Sequence, residues 1–253
     1  MIELYHWEPN AESLALLVCL KEKNVDFNSH YVDMLQLEQH TAAYLELSPK
    51  ARVPLLVAEG ENMSDAGFAL QFLAERYPEP RLAPTDPSGW YDLQAWTSWL
   101  GGMMGLAADV ALLGWNYVML EKMPAKALAA FRAKVDEFPK EKKSGWAAVW
   151  SDAEAGEDEL RNAEERVQQL VSRIEAILLD ADWMIGGAYS IIDITAFAHL
   201  HSVPALVPGI INHSETPRIA SWLERLHKRP AVADALAMHK STIAPVVYAA
   251  PGS

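Results

Sequence analysis

The pair Val53-Pro54 says most about chemistry in this sequence. It lies in the apolar run Arg52 to Val57, which reads as a strand, and a proline there cannot donate a ladder hydrogen bond. Two arrangements accommodate it. One is an edge strand. The other is a cis peptide that turns the N–H and C=O of Val53 outward, where they can pair with a peptide ligand as an added strand. Arg52, next to the pair, carries a planar fork suited to a carboxylate, or it is an ordinary solvated cation. Cys19 is the only cysteine and sits among Leu17, Val18 and Leu20. It reads as core rather than nucleophile, and an intramolecular disulfide and a Cys-rich metal site are both excluded. No metal is called for. The formal net charge of −13 argues against nucleic acid or an anionic membrane as partner, so an anionic ligand needs a local basic pocket.

The elements around these residues follow from periodicity. Residues 2–7 alternate around Ile2, Leu4 and His6 as a first strand, and a helix follows from about Ala11 to Lys23 with Asn10 as its N-cap. Phe27 to Val32 reads as a strand, and Leu37 to Leu47 as a short helix ended by Ser48-Pro49. Arg52 to Val57 is a third strand, and Gly60-Glu61-Asn62 turns into an edge strand. Ser64 or Asp65 opens a helix to about Arg76. This βαβ then αββα order describes a small mixed sheet with helices on its faces. Residues 81–88 read as a Pro-rich linker between units 1–80 and 89–253, and the second unit is helical in pattern. Its expected helices are 88–120, 124–137, 157–180, 190–203, 216–228 and about 231–239, with an irregular insertion over 138–156. Half the residues are hydrophobic, enough for a substantial core. Neither a basic leader with an apolar run nor a membrane-length apolar stretch is read, so a soluble, cytoplasmic protein is expected.

Several ordered segments resemble the glutathione S-transferase family. They are Leu37-Glu38-Gln39-His40, Ser48 through Pro54, Asp65-Ala66, Phe72 through Pro78, Trp183 through Ile194, and Pro217 through Val232. The resemblance covers nearly the whole chain. It implies a thioredoxin-like N-terminal α/β domain, an all-α C-terminal domain and a dimer. It also implies a cis Val53-Pro54 bond and a capping box in which Ser190 caps a helix and Asp193 reaches back to the Ser190 N–H.

The ligand implied is glutathione, as co-substrate. By resemblance, Val53 pairs its backbone with the cysteinyl portion and Asp65 holds the γ-glutamyl ammonium. His40 and Arg52 stand where the family binds the glycyl carboxylate, although His40 equally reads as a surface histidine. The family usually follows the acid at this helix start with Ser or Thr, whose hydroxyl helps hold the γ-glutamyl carboxylate. Here Asp65-Ala66 lacks that hydroxyl, and Ser64 is one position away. A lost charge-assisted hydrogen bond costs about 1.5–3 kcal/mol. Catalysis needs a thiolate, and a hydroxyl at the first helix N-terminus lowers a thiol pKa. Ser13 is the candidate donor, or else an ordinary first-turn serine. Glu12 complements the helix dipole, or, turned toward the sulfur, opposes the thiolate.

Within the family, Tyr5 through Leu14, Leu37 through His40 and the insertion before Arg173-Ile174-Glu175 resemble the bacterial lignin β-aryl etherase branch. That branch often has asparagine where this chain has Glu12. The implied reaction is thiolate attack on the β-carbon of an α-keto β-aryl ether, with release of a phenol. Trp7, Met103, Met104, Trp115, Tyr117, Trp146 and Trp150 are candidates to line the aromatic cleft, or core aromatics. The alternatives are a catalytically weak subunit pairing with a true etherase, so that the dimer joins like or unlike chains, and a general detoxifying transferase.

Overall fold

In the first strand, β1 (Ile2–His6), Ile2, Leu4 and His6 face the core and alternate with the half-buried Glu3 and Tyr5. This period-two burial fixes which face of the sheet receives which helix. The computed structural model describes residues 1–101, 106–118, 123–137, 153–185 and 187–240, and of residues 153–156 only the backbone. β1 pairs in parallel with β2 (Phe27–Tyr31) and antiparallel with β3 (Leu55–Ala58), which pairs antiparallel with β4 (Glu61–Met63). The order is β2-β1-β3-β4. α1 (Ala11–Glu22) and α3 (Ala66–Arg76) cover the face carrying Ile2, Leu4, Leu56 and Met63. On the other face, Tyr44 of α2 (Ala42–Leu47) packs with Tyr5, Val32 and Leu55.

α1 is apolar all round, and every residue from Ser13 to Leu20 is buried. Such a helix needs cover on both sides. The sheet supplies one side and the second half of the chain the other. Asn10 is its N-cap, but its side chain makes no capping bond.

The remaining helices are α4 (Pro87–Leu100), α5 (Leu106–Tyr117), α6 (Ala125–Asp136), α7 (Ala153–Ile177), α8 (Ile191–Leu200), α9 (Val203–Leu206), α10 (Pro217–His227) and α11 (Pro230–Leu236). The capping box at α8 is present, with the Ser190 N–H donating to Asp193 at 3.0 Å and the Ile192 N–H donating to Ser190 Oγ at 3.3 Å. Asp193 also accepts from Ser190 Oγ at 3.1 Å, from the Met184 N–H at 3.0 Å and from Trp222 Nε1 at 3.1 Å. Burial nevertheless pushes its carboxyl up to about 6. Four hydrogen bonds do not offset its removal from water.

Several expectations need correction. The single helix expected over Leu37 to Leu47 is broken: Leu37 is left-handed (φ 61°) between two 3-10 turns, Met34–Gln36 and Glu38–His40, and Thr41 is extended (ψ 150°). Thr41 then caps the shorter α2. Strand β3 begins at Leu55, so the cis Val53-Pro54 bond precedes the ladder rather than interrupting it. The helix expected over 88–120 is two helices, since the extended Gly101 ends α4. α7 reaches back to Ala153, inside the stretch expected to be irregular; residues 138–152 lie outside the described residues. α4 starts at Pro87, capped by Asp86, one residue earlier than the expected start at 88.

Polar ties join the two halves. Arg229 donates to both oxygens of Glu22 in α1 at 2.5 and 2.9 Å, and the Ile191 N–H donates to the Leu82 carbonyl at 2.8 Å. Within the first half, Lys23 Nζ, at the end of α1, holds the Tyr77 and Pro80 carbonyls at 2.5 and 2.7 Å. Among the described residues, no helix is long and apolar enough to cross a membrane, and no group of three or more His, Cys, Asp or Glu could hold a metal ion.

Candidate functional site

The N-terminal ends of α1 and α3, the loop before β3, and helices α5, α8 and α9 surround one cleft of about 750 Å³. That volume suits a small-molecule ligand. Its two walls differ in chemistry.

The first wall comes from the sheet half of the chain. Ser13 is 4 % exposed in the first turn of α1 and lines the cleft. Its Oγ accepts from the Trp7 N–H at 3.4 Å, which leaves the hydroxyl proton free to be donated. Sited at a helix N-terminus, it is built to stabilise a negative charge in the cleft. Arg52 and Val53 line the same wall. The Arg52 backbone is held by Ser48 and Tyr44, with its N–H donating to Ser48 Oγ at 3.1 Å and its carbonyl accepting from Tyr44 Oη at 2.7 Å. The backbone of Val53, by contrast, makes no hydrogen bond among the described residues, so its N–H and C=O can pair with an extended ligand.

Asp65, Ala66 and Gly67 complete this wall. Asp65 caps α3 by accepting from the Phe68 N–H at 2.9 Å, and its other oxygen can receive a cation. Gly67 packs closely on α4: a Cβ there would meet Thr97 Cγ2 at 2.9 Å, so that methyl would have to shift. Glu12 also lines the cleft, and burial raises its pKa, with Arg52 opposing the rise and Asp65 adding to it. This wall therefore presents one guanidinium, two carboxyls, unpaired backbone and a hydroxyl. That set matches the ends and middle of a short zwitterionic peptide.

The second wall is largely apolar. Trp7 stacks on Trp115 of α5, ring centroids 4.9 Å apart and planes 6° from parallel, joining the two halves of the chain across the cleft. Tyr117, Val110, Ala111 and Leu206 line it further, with Ile192, Thr195 and His199 from α8 and Ser202 beside α9.

Trp7, Glu12, Ser13, Arg52, Val53, Asp65, Trp115 and Tyr117 are thus brought together. His40 lies in the turn Glu38–His40, and it, Pro54 and Ser64 fall outside the residues that line the cleft. Met103, Met104, Trp146 and Trp150 lie outside the described residues. Cys19 is fully buried and its thiol is pushed up to about 12, which makes it inert core. Thr195, His199 and Ser202 were not anticipated. A lone histidine in an apolar helix carries no local signal, and only the packing of α8 against α5 aims it at the cleft.

Two family descriptions match the chain: "Glutathione S-transferase, N-terminal domain" over residues 13–76 and "Glutathione S-transferase, C-terminal domain" over residues 138–230. Protein LigF of Sphingobium sp. strain SYK-6 is 27 % identical over 243 residues, covering 91 % of each chain. The crystal structure of the beta-etherase LigF from that strain superposes with a TM-score of 0.76 at 26 % identity, covering 93 % of this chain and 98 % of that one. Glutathione transferase URE2P8 from Phanerochaete chrysosporium, solved with oxidised glutathione, has a TM-score of 0.68 at 18 % identity, covering 93 % of each chain, and shows the shared fold.

Proposed function

Because the chain belongs to the glutathione S-transferase family, we propose that it is a glutathione-dependent β-etherase acting on lignin-derived aryl ethers. The observation that carries this is the position of Ser13, where a peptide-reading wall meets an aromatic chamber in one cleft. The likeness to LigF along nearly the whole chain supports the choice of reaction.

Glutathione lies along the first wall, its cysteinyl backbone paired with Val53 and its ammonium on Asp65. Arg52 takes a carboxylate, and the bare N–H groups of Ala66 and Gly67 at the start of α3 take the other. The thiol then stands at Ser13, whose hydroxyl donates to the thiolate and lowers its pKa. The sulfur attacks the β-carbon of an α-keto β-aryl ether held against Trp7 and Trp115. As the C–S bond forms, the C–O bond breaks, and the aryl oxygen leaves as a phenolate that takes a proton from water. The protein supplies the thiolate and the alignment.

The test is incubation of each enantiomer of a model α-keto β-aryl ether with glutathione and the purified chain. A phenol and a glutathione thioether are expected, with the rate falling about a hundredfold in Ser13→Ala. No phenol from either enantiomer would contradict the reading. Rapid conjugation of a chlorinated nitrobenzene without phenol release would identify a general transferase instead. Glu12 and Ala66 favour a second reading, a weak subunit that pairs with an active etherase; it fails if the chain alone turns over at a normal rate.

A further inference from the structure

Within the cleft, the lining contributed by α5, α8 and α9 includes no charged side chain among the described residues. Asp109, nearby on α5, is outside the lining and is tied by Arg166, which donates to both of its carboxylate oxygens. Besides Trp115 and Tyr117 of α5, the polar side chains in that lining are Thr195, His199 and Ser202, and the hydrogen bonds of these three are unequal. Thr195 Oγ1 donates to the Ile191 carbonyl at 2.7 Å, and Ser202 Oγ donates to the His199 carbonyl at 3.3 Å. Both hydroxyl protons are therefore spent on backbone, and what these oxygens offer the cleft is lone pairs.

His199 is 1 % exposed, and its Nδ1 is buried with no partner among the described residues. Burial pushes its pKa down to about 4, so at neutral pH the ring is uncharged, with one donor and one acceptor nitrogen. A buried imidazole nitrogen without a partner is costly and calls for one.

We infer that Thr195, His199 and Ser202 form a subsite for a neutral hydroxyl group on the aromatic ring of the substrate, that is, a free phenol. The inference rests on reading the apolar wall as the electrophile's side of the cleft. A phenol O–H donates to one of the waiting lone pairs and its oxygen accepts from the imidazole, matching a site rich in acceptors with a single donor. A carboxylate or phenolate has no cation to meet here, and an aryl methyl ether brings no proton. His199 is thus a positioning residue. It would select substrates with an unblocked phenol and set how deeply the ring enters, and so how far the β-carbon stands from the thiolate.

Binding tests this without turnover. Quenching of the Trp7 and Trp115 fluorescence reports equilibrium binding of 4-hydroxyacetophenone and 4-methoxyacetophenone, which differ by one blocked hydroxyl. The wild-type chain should bind the hydroxyl compound about tenfold more tightly, the worth of one buried hydrogen bond. His199→Phe should abolish that preference, His199→Gln should restore part of it, and Thr195→Val should reduce it. Thr195→Val changes only a partly exposed side chain, and so keeps the test open if His199→Phe fails to fold by circular dichroism. Equal binding of the two ketones by the wild-type chain, or a preference untouched by these substitutions, overturns the subsite. If the preference is present but aryl ethers are not cleaved, the etherase reading falls and the subsite stands.

Discussion

Glu12 and Ser13 are neighbours in the first turn of α1, and both line the cleft. A carboxylate beside the sulfur site works against a thiolate, yet burial raises the pKa of Glu12, and its protonated form carries no opposing charge. As pH rises and Glu12 ionises, it should push the bound thiol's pKa upward. Glu12→Gln is therefore expected to move the acid limb of the kcat/KM profile for phenol release to lower pH by about one unit. An unmoved limb, or one moved to higher pH, would show that Glu12 does not face the sulfur. At this scale the sequence was readable where a residue type has few uses, as in the cis Val53-Pro54 bond and the single cysteine. It was unreadable at Ala11, which takes a positive φ of 42° at the cleft edge, and at His199, whose role depends on what packs opposite.

At the scale of elements, three of the five large apolar side chains exposed among the described residues lie on two helices, the others being Met1 and Leu179. Phe68 of α3 is 60 % exposed, and Tyr91 and Trp99 of α4 are 75 % and 51 % exposed. Single exposed apolar groups are ordinary, but three large ones on adjoining helices suit a symmetric contact with a second copy. The Arg173 guanidinium lies 3.7 Å from the Trp99 ring centroid and fixes that ring's orientation. Sedimentation velocity is expected to show a dimer for the wild type and a monomer for Tyr91→Glu. A wild-type monomer, or a dimer unaffected by the substitution, would place the contact elsewhere. The helices were legible because α10 and the capped start of α8 carry strong local signals. The break at Gly101 was not, since one glycine in an apolar pattern is compatible with an unbroken helix, and the left-handed Leu37 had no glycine or asparagine to announce it.

The whole molecule stores a pH dependence in its second half. His201 and His227 pack against the Phe197 ring and His199 lies on the same helix, and burial lowers the pKa values of His199, His201 and His227 to about 4, 3 and 4 from the usual 6.5. Above pH 6.5 neither the folded nor the unfolded chain protonates them. Below it the unfolded chain takes up protons that the folded chain refuses until about pH 4. Stability should fall across that window by up to about 1.4 kcal/mol per pH unit for each fully buried imidazole. Asp193 acts oppositely: its folded pKa is raised to about 6 from 3.8, so it gains stability as pH falls through that interval. Glu12, also raised by burial, acts in the same sense as Asp193, and the three imidazoles against these two carboxyls leave a net loss. Both ring nitrogens of His201 are buried without a partner among the described residues. His201→Leu should therefore be no less stable at pH 7 and should flatten the decline of Tm toward pH 4.5. A decline as steep as that of the wild type would contradict this assignment.

The central claim is that glutathione binds across the first wall with its sulfur on Ser13. Ultraviolet titration of the thiolate in the glutathione complex measures it directly, beside the same titration of Ser13→Ala. A bound thiol ionising one to two units below a free thiol's pKa of about 8.5, and returning toward it in Ser13→Ala, is the predicted result. A bound thiol with an unshifted pKa, or one equally shifted in both proteins, would contradict the account.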